Sequence, residues 1–453
     1  PIADIPQAIS TITQDQAEDQ QPRTLLESLS YSSGASVTNF AFDTRYDAIY
    51  LRGFPAYYTG LFRDGLRQVN GPSAWYRNEP YTFEGVSVMK GPASSLYGVS
   101  GPGGIVNIVS KRPKEEQFRE LKLTTGTDDR AELAFDFTGP LDDDGRLQYR
   151  LTGLLRDADT PLDGYKDDKT LIAPALSWQM TDRTRVTFLG EYSKSTVGGT
   201  ASYYNPSYGE ASEIYNGDPD YNDFDQEQYR LGYEIEHELT DTITLRQNLR
   251  YSEQDTTYRH LYYSGMASAT QMQFYDFTVF ETASTFAVDT QIEYRATLGA
   301  AENTLVAGLD YTRQIVDGTQ GFGAGYLIDV TNPSYGFGVS DPGNYIDRKT
   351  TEDQTGLYVQ NHTRFENGVT LTAGLRKSWV ETETENRLTN TTSSQDDDAL
   401  TMSLGATWDL GNGYVPFASY AEGFTTNIGS SFDGTAFKPT ESEQFEVGLR
   451  YYP

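Results

Sequence analysis

The chain has 453 residues, with 42 glycines, 33 tyrosines and no cysteine. Its 65 acidic residues outnumber 35 lysines and arginines, a formal charge of −30 that repels nucleic acid, with no basic stripe to offset it. The absence of cysteine excludes a disulfide framework and thiolate metal sites, and with no apolar run of about 18 residues no membrane helix can form.

The chain opens on PIADIPQAIS with no signal peptide visible, so any leader is expected to have been removed. QDQAEDQQPRTLLESL then reads as a short helix, its polar residues preceding Leu25, Leu26 and Leu29. Short mixed segments rich in Gly and Pro follow: AIYLRGFP, GLFRDGLRQV, VSVMKGP and GIVNIVS. Residues 1–116 therefore read as a small α/β globule with long loops. Its densest glycine and proline run is KGPASSLYGVSGPGGIVNIVSKRP, Lys90 to Pro113.

From 117 to 453 a period of two takes over. Tyr229, Leu231, Tyr233 and Ile235 fall on one face, and Arg230, Gly232, Glu234 and Glu236 on the other. The rhythm recurs in VTLTAGLRK, MSLGATWDL and FEVGLRY, as strands with one apolar and one strongly polar face require. Tight turns are expected at 142–145, 181–183, 366–368 and 411–413, and long tyrosine-rich loops at 195–225, 254–276, 314–351 and 381–397. Short turns at one end, long loops at the other and apolar-out, polar-in strands are the pattern of an outer-membrane β-barrel. About fourteen strands fit, many longer than the usual five or six residues of soluble sheets. Aromatics such as Tyr229, Tyr251, Trp408, Tyr414, Tyr451 and Tyr452 are expected at the membrane interfaces.

Residues 49–113 resemble the plug domain of TonB-dependent outer-membrane receptors, in particular the ferric-siderophore branch. The matching elements are Arg52-Gly53-Phe54, Asp64-Gly65, Gly91-Pro92-Ala93, Leu96-Tyr97-Gly98, Pro102-Gly103-Gly104 and Asn107. The chain departs from the family at Gly85 and Ser87, where an arginine and an acidic residue are usual, which puts the usual plug–barrel anchoring in doubt. No energy-coupling box is recognisable ahead of Pro1. The resemblance implies a 22-stranded barrel with an α/β plug in its lumen, a Gram-negative outer-membrane location among lipid and lipopolysaccharide, and a monomer. It implies import of a ferric siderophore driven by the TonB energy-transducing protein. Uptake of haem, cobalamin or an oligosaccharide stays open, as does a receptor that signals or adheres without transporting.

Fourteen strands about 4.8 Å apart and tilted about 40° enclose only roughly 18 Å of clear lumen, too narrow for a globule near 34 Å across. Twenty-two would suffice, so about eight carboxy-terminal wall strands are expected beyond this chain. The glycine-rich motif itself reads as scaffold, its glycines permitting sharp turns in a confined lumen.

The resemblance points to Arg52 and Tyr81 as ligand contacts. Between them, Tyr57, Tyr58, Gln68, Trp75 and Tyr76 lie on Gly-, Asn- and Pro-bounded loops, where stacking and charge-assisted hydrogen bonds suit a chelate with a polar shell. Tyr203, Tyr204, Tyr208, Tyr262 and Tyr263 are candidates for an outer capture surface or for loop packing. No catalytic residue, cofactor or protein metal ligand is expected, because the iron arrives already chelated. His237, His260 and His362 are scattered, and the acidic runs Asp142–Asp144 and Asp396–Asp398 suit solvated turns better than calcium sites. No nucleophile elbow or HExxH marks an enzyme.

Overall fold

A computed structural model describes residues 4–37, 43–162, 164–210 and 212–452. Its first part is a small α/β unit. Strands β1 (Ile9–Thr13), β5 (Leu61–Arg63), β6 (Leu66–Arg67), β7 (Phe83–Lys90) and β8 (Gly104–Ser110) form one sheet in the order β1-β7-β8-β5-β6. The pair β5–β8 is parallel and the others antiparallel. A second sheet joins β2 (Ala35–Ser36), β3 (Tyr50–Leu51) and β4 (Phe54–Pro55).

The expected single helix is two, α1 (Gln14–Gln20) and α2 (Leu25–Ser28). Pro22 cannot continue a helix, and Gln21 before it turns into the left-handed region at φ 46°. Thr13 and Thr24 cap the two helices through their side-chain oxygens. Leu25 and Leu29, fully buried, then pack on Val88, Val106 and Ile108 of the sheet.

Two turns position the upper loops. Arg52 and Gly53 (φ 51° and 85°) join β3 to β4, and Asp64 and Gly65 (φ 56° and 78°) join β5 to β6. Two consecutive positive φ values are the requirement of a two-residue type I′ hairpin. Within the glycine-rich run, a Cβ on Gly103 would stand 2.2 Å from the Leu51 carbonyl oxygen, and one on Gly104 2.1 Å from that of Met89. Close backbone packing explains both glycines, and Gly104 also turns at φ 125°, as the sharp-turn reading expected.

The wall begins with β9 (Phe118–Thr125) and runs as fourteen antiparallel strands to β22 (Thr440–Tyr451), each beside its sequence neighbour. Among the described residues β9 and β22 do not pair with each other, so the wall is open. The expected tight turns are all present at one end. At the other end the long loops are shorter than expected, least so the loop between β13 (Thr184–Val197) and β14 (Asp223–Glu238). Strands β15 (Ile243–Met266), β16 (Gln271–Leu298), β17 (Ala301–Asp329), β18 (Asn344–Phe365), β19 (Val369–Asn386) and β20 (Thr391–Trp408) absorb most of the others as tall hairpins. Threonine- and tyrosine-rich polar segments keep the strand period in water as well as in lipid, so polarity alone did not mark where the ladders stop.

The tall strands also move one aromatic girdle. Trp408, Tyr414 and Tyr451 sit at the short-turn end as expected, but Tyr229 and Tyr251, 6.0 Å apart, lie mid-strand. From Ile243 to Tyr251 the wall climbs roughly 20 Å along the membrane normal, close to an outer-membrane apolar band. Leu231 (66% exposed) faces outward there, while Arg230 (6%) faces the plug. The acidic run Asp396–Asp398 is part of β20, with Asp398 paired to Lys377, and Asp142–Asp144 is an exposed turn.

Candidate functional site

Where the plug meets the long-loop end of the wall, five aromatic rings cluster. Asn70 builds the cluster: its side-chain amide donates to the Tyr57 carbonyl at 2.7 Å, and its oxygen accepts the Tyr76 N–H at 3.0 Å. Two loops distant in sequence are thereby held side by side. Trp75 stacks on Tyr57 at 4.6 Å and meets Tyr46 and Tyr58 edge-on at 4.7 and 5.3 Å. Tyr57 also meets Tyr50 and Tyr58 edge-on. Each such contact adds about 0.5–1.5 kcal/mol beyond burial, so the surface is rigid before any ligand arrives.

The wall holds this cluster from outside. Glu281 of β16 accepts the Ser73 and Ala74 N–H groups at 2.8 and 2.7 Å. Gly71 permits that approach, since a Cβ there would lie 2.4 Å from the Glu281 carboxylate. Gln226 of β14 donates to the Trp75 carbonyl at 3.1 Å. Tyr58 remains 41% exposed and Trp75 only 6%. Burial raises the Tyr58 pKa, with Glu281 adding to it, and burial followed by the Tyr50 hydroxyl raises that of Tyr57. Both phenols therefore stay protonated at neutral pH and can donate hydrogen bonds.

Beside the cluster, plug residues 43–47 dock on the loops. Arg45 is clamped bidentately by Asp43, donates to Tyr258 and to the Gly199 carbonyl, and lies 5.6 Å from the ring centres of Tyr46, Phe224 and Tyr258. Tyr165 donates to Asp43 at 2.6 Å. Burial works against ionisation of Asp43, but Arg45 outweighs it and keeps the carboxyl below its usual range. Nothing in the sequence marked Arg45, whose partners lie more than 150 residues away in the case of Gly199 and Tyr258.

Of the seven residues expected to touch ligand, the structure brings Tyr57, Tyr58 and Trp75 together and sends four elsewhere. Arg52 turns to the last wall strand, donating to Gln444 at 2.7 Å and pairing with Glu446 at 2.9 Å. Tyr81 packs by the first wall strands, donating to Glu120 at 2.7 Å with the Lys111 ammonium 4.2 Å from its ring centre. Gln68 is buried and accepts from Arg230 at 3.3 Å, and the same guanidinium covers the buried Tyr76 ring at 4.7 Å. These four are plug–wall contacts. Of the loop tyrosines, Tyr204 packs edge-on against Tyr263, and Tyr208 is fully exposed.

The seam below the cluster is a charge network. Arg63 of the plug pairs at 2.8 Å with Glu191 of β13, each side chain 4% exposed, and Arg230 of β14 pairs with the same carboxylate. Arg250 of β15 donates to the plug carbonyls of Arg63 and Arg67 at 2.7 and 2.8 Å. Arg112 bridges Asp64 (2.9 Å) and Glu234 of the wall. Anchoring is thus supplied without an arginine at Gly85, where a Cβ would stand 3.0 Å from the Ile12 carbonyl oxygen of the neighbouring strand. Glu84 still approaches Arg150 of the wall at 3.8 Å.

Two family models match this chain: the TonB-dependent receptor plug domain over residues 1–105 and the TonB-dependent receptor-like β-barrel over 174–453. The chain is 33% identical over 500 residues to the ferrichrome outer membrane transporter/phage receptor of Escherichia coli, and 31% identical over 466 residues to the ferrioxamine B receptor of Salmonella typhimurium. All of this chain is covered in both alignments, against 65% and 66% of those proteins, so it spans about two thirds of their length. Its fold matches the siderophore receptor PiuA of Acinetobacter baumannii with a TM-score of 0.86 at 20% identity, over 100% of this chain and 70% of that one. The charged seam, the inward-facing α/β unit and the tall wall are those of a plug seated in an outer-membrane barrel, and the chain belongs to the TonB-dependent receptors.

Proposed function

We propose that the protein is an outer-membrane receptor that captures a ferric siderophore on the plug-apex aromatic surface and imports it with energy from the TonB system. The observation that carries this reading is the pre-stacked cluster of Tyr57, Tyr58 and Trp75 beneath the long-loop end of the wall, with Tyr58 left 41% exposed. Aromatic faces and protonated phenols suit a bulky chelate with a polar shell of carbonyl oxygens, and need no protein ligand to the iron. The two relatives named for ferrichrome and ferrioxamine B support the same class of cargo. The work in this reading is binding and gated release without covalent chemistry. Haem is disfavoured at His260, whose ring is stacked on Tyr258 at 4.6 Å and edged by Phe277 at 5.3 Å.

The test is uptake of isotopic iron carried by hydroxamate, catecholate or carboxylate siderophores, in cells relying on the full-length receptor, with and without the energy-transducing protein. Import of one class that depends on that protein supports the proposal. Binding without import would leave a receptor that signals or adheres, and import of haem, cobalamin or a glycan instead would replace the cargo.

A further inference from the structure

The plug is not held equally on all sides. Two cavities lie between it and the inner face of β16–β18. The upper one, about 290 Å³, separates the plug loop Asn70–Pro72 from Glu281, Gln314 and Glu352, and so opens beside the aromatic cluster that Glu281 clamps. The lower one, about 250 Å³, separates plug residues Leu66 and Leu96 from Thr312, Gln354 and Gln360.

The two linings share no residue, yet they meet one strand step apart. On β17 Gln314 lines the upper cavity and Thr312 the lower, and on β18 Glu352 lines the upper and Gln354 the lower. A step of two residues keeps the same face of a strand, so the cavities are stacked along one inward row. At the level between them stands Arg67 of the plug, its Nη1 2.9 Å from Gln354 Oε1 and 3.5 Å from Glu352 Oε1.

Arg67 is a poorly held guanidinium. Its Nε is buried without a hydrogen-bond partner, and burial, which Glu352 offsets only in part, disfavours its charge. Arg250 of the neighbouring β15, by contrast, locks onto three plug carbonyls, those of Arg63, Leu66 and Arg67. Each cavity alone is at the small end of ligand sites, whereas joined they fall well within the roughly 300–1,000 Å³ of such sites.

We infer that cargo leaves the apex between the plug and β16–β18, and that Arg67, bridging Glu352 and Gln354, is the bar that keeps the two cavities apart until the plug moves. This rests on the import reading above. Removing the Arg67 side chain joins the cavities on that side and leaves the opposite seam closed.

These 453 residues hold no cysteine, so single-cysteine reporters placed in them can be read in intact cells in the full-length receptor, with any cysteine outside them replaced by serine. Gln360→Cys reports the lower cavity, and Thr152→Cys, on the β11 strand (Leu147–Asp157) across the lumen, is the control. With a membrane-impermeant thiol reagent added outside, Arg67→Ala raises the labelling rate of Gln360→Cys about tenfold or more, the effect of losing a charged hydrogen bond, and leaves Thr152→Cys unchanged. No change at Gln360→Cys, or an equal rise at both reporters, overturns the inference, the latter by showing a generally loosened plug. If Arg67→Ala does not reach the membrane, Gln354→Ala removes the same bridge from the wall side and is held to the same two outcomes. Siderophore uptake by the same cells separates the two readings. Import with an unopened lower cavity in the Arg67 variant refutes only the route, while an opened cavity in a receptor that imports no siderophore refutes only the cargo.

Discussion

The β11–β15 side of the lumen and the β16–β18 side meet the same plug in opposite ways. On the first, Glu191, Arg230, Arg250 and Glu234 converge on Arg63, Arg112 and the plug backbone, and Arg45 fastens the apex to the loops. On the second, the wall stands off across two cavities, held above by Glu281 on the Ser73 and Ala74 N–H groups and between the cavities by the Arg67 guanidinium. Burying charge is costly unless every partner is in place, so a dense network marks a seam meant to stay shut, and a sparse one a seam that can open. The contrast assigns anchoring to β11–β15 and passage to β16–β18.

The largest effect should come from breaking the anchored side. Glu191→Ala strands Arg63 and Arg230 in a buried seam, a loss of about 3–5 kcal/mol by analogy with other broken buried pairs. Heat or urea should release the plug to protease well before wild type, and an unchanged midpoint would remove the anchor from the account. Next is Tyr58→Ala at the mouth of the open side. It should weaken cargo binding by about tenfold, the upper end of one aromatic contact, without moving the melting midpoint.

Acid should act on the anchored side too, and more mildly. Burial opposes ionisation of Asp64, but Arg112, Arg63 and the Ser110 N–H outweigh it and hold its pKa below 3.8. A carboxylate depressed in the folded state stabilises above its unfolded pKa and loses that contribution as pH falls through the folded value. The plug midpoint should therefore be flat from neutral down to about pH 4 and fall below it. Asp64→Asn should flatten that fall, and a wild-type decline already complete at pH 5 would contradict the assignment. The smallest effect belongs to Arg183→Ala, whose partner Asp241 sits on an exposed turn. Its midpoint should match wild type, which makes it the control for charge removal as such.

Much of this architecture was legible because strands in lipid must alternate. The outward row Tyr229-Leu231-Tyr233 and the inward Arg230-Glu234 name their faces directly, and three of the four expected short turns follow from Gly145, Gly368, Gly411 and Gly413. The heights of the hairpins were not, because Gln314–Asp329 stays paired although Gly318, Gly321, Gly323 and Gly325 read as a loop's. At the site, the Asn70-bounded aromatics could be found from loop chemistry. Arg52 could not be assigned, since its partner Glu446 lies 394 residues away and only the register of the last strand brings them together. Arg67 gave no signal for the same reason, its wall partner Gln354 being 287 residues distant.

The most direct test of the apex site compares Tyr58→Ala with Arg52→Ala in the full-length receptor, titrated with the siderophore class that wild type binds and read by quenching of tryptophan fluorescence, with Trp75 in the cluster. The structure predicts about tenfold weaker binding for Tyr58→Ala and little change for Arg52→Ala, whose guanidinium is committed to Gln444 and Glu446. Binding abolished by Arg52→Ala and untouched by Tyr58→Ala would contradict it and move the site from the aromatic cluster to the last wall strand.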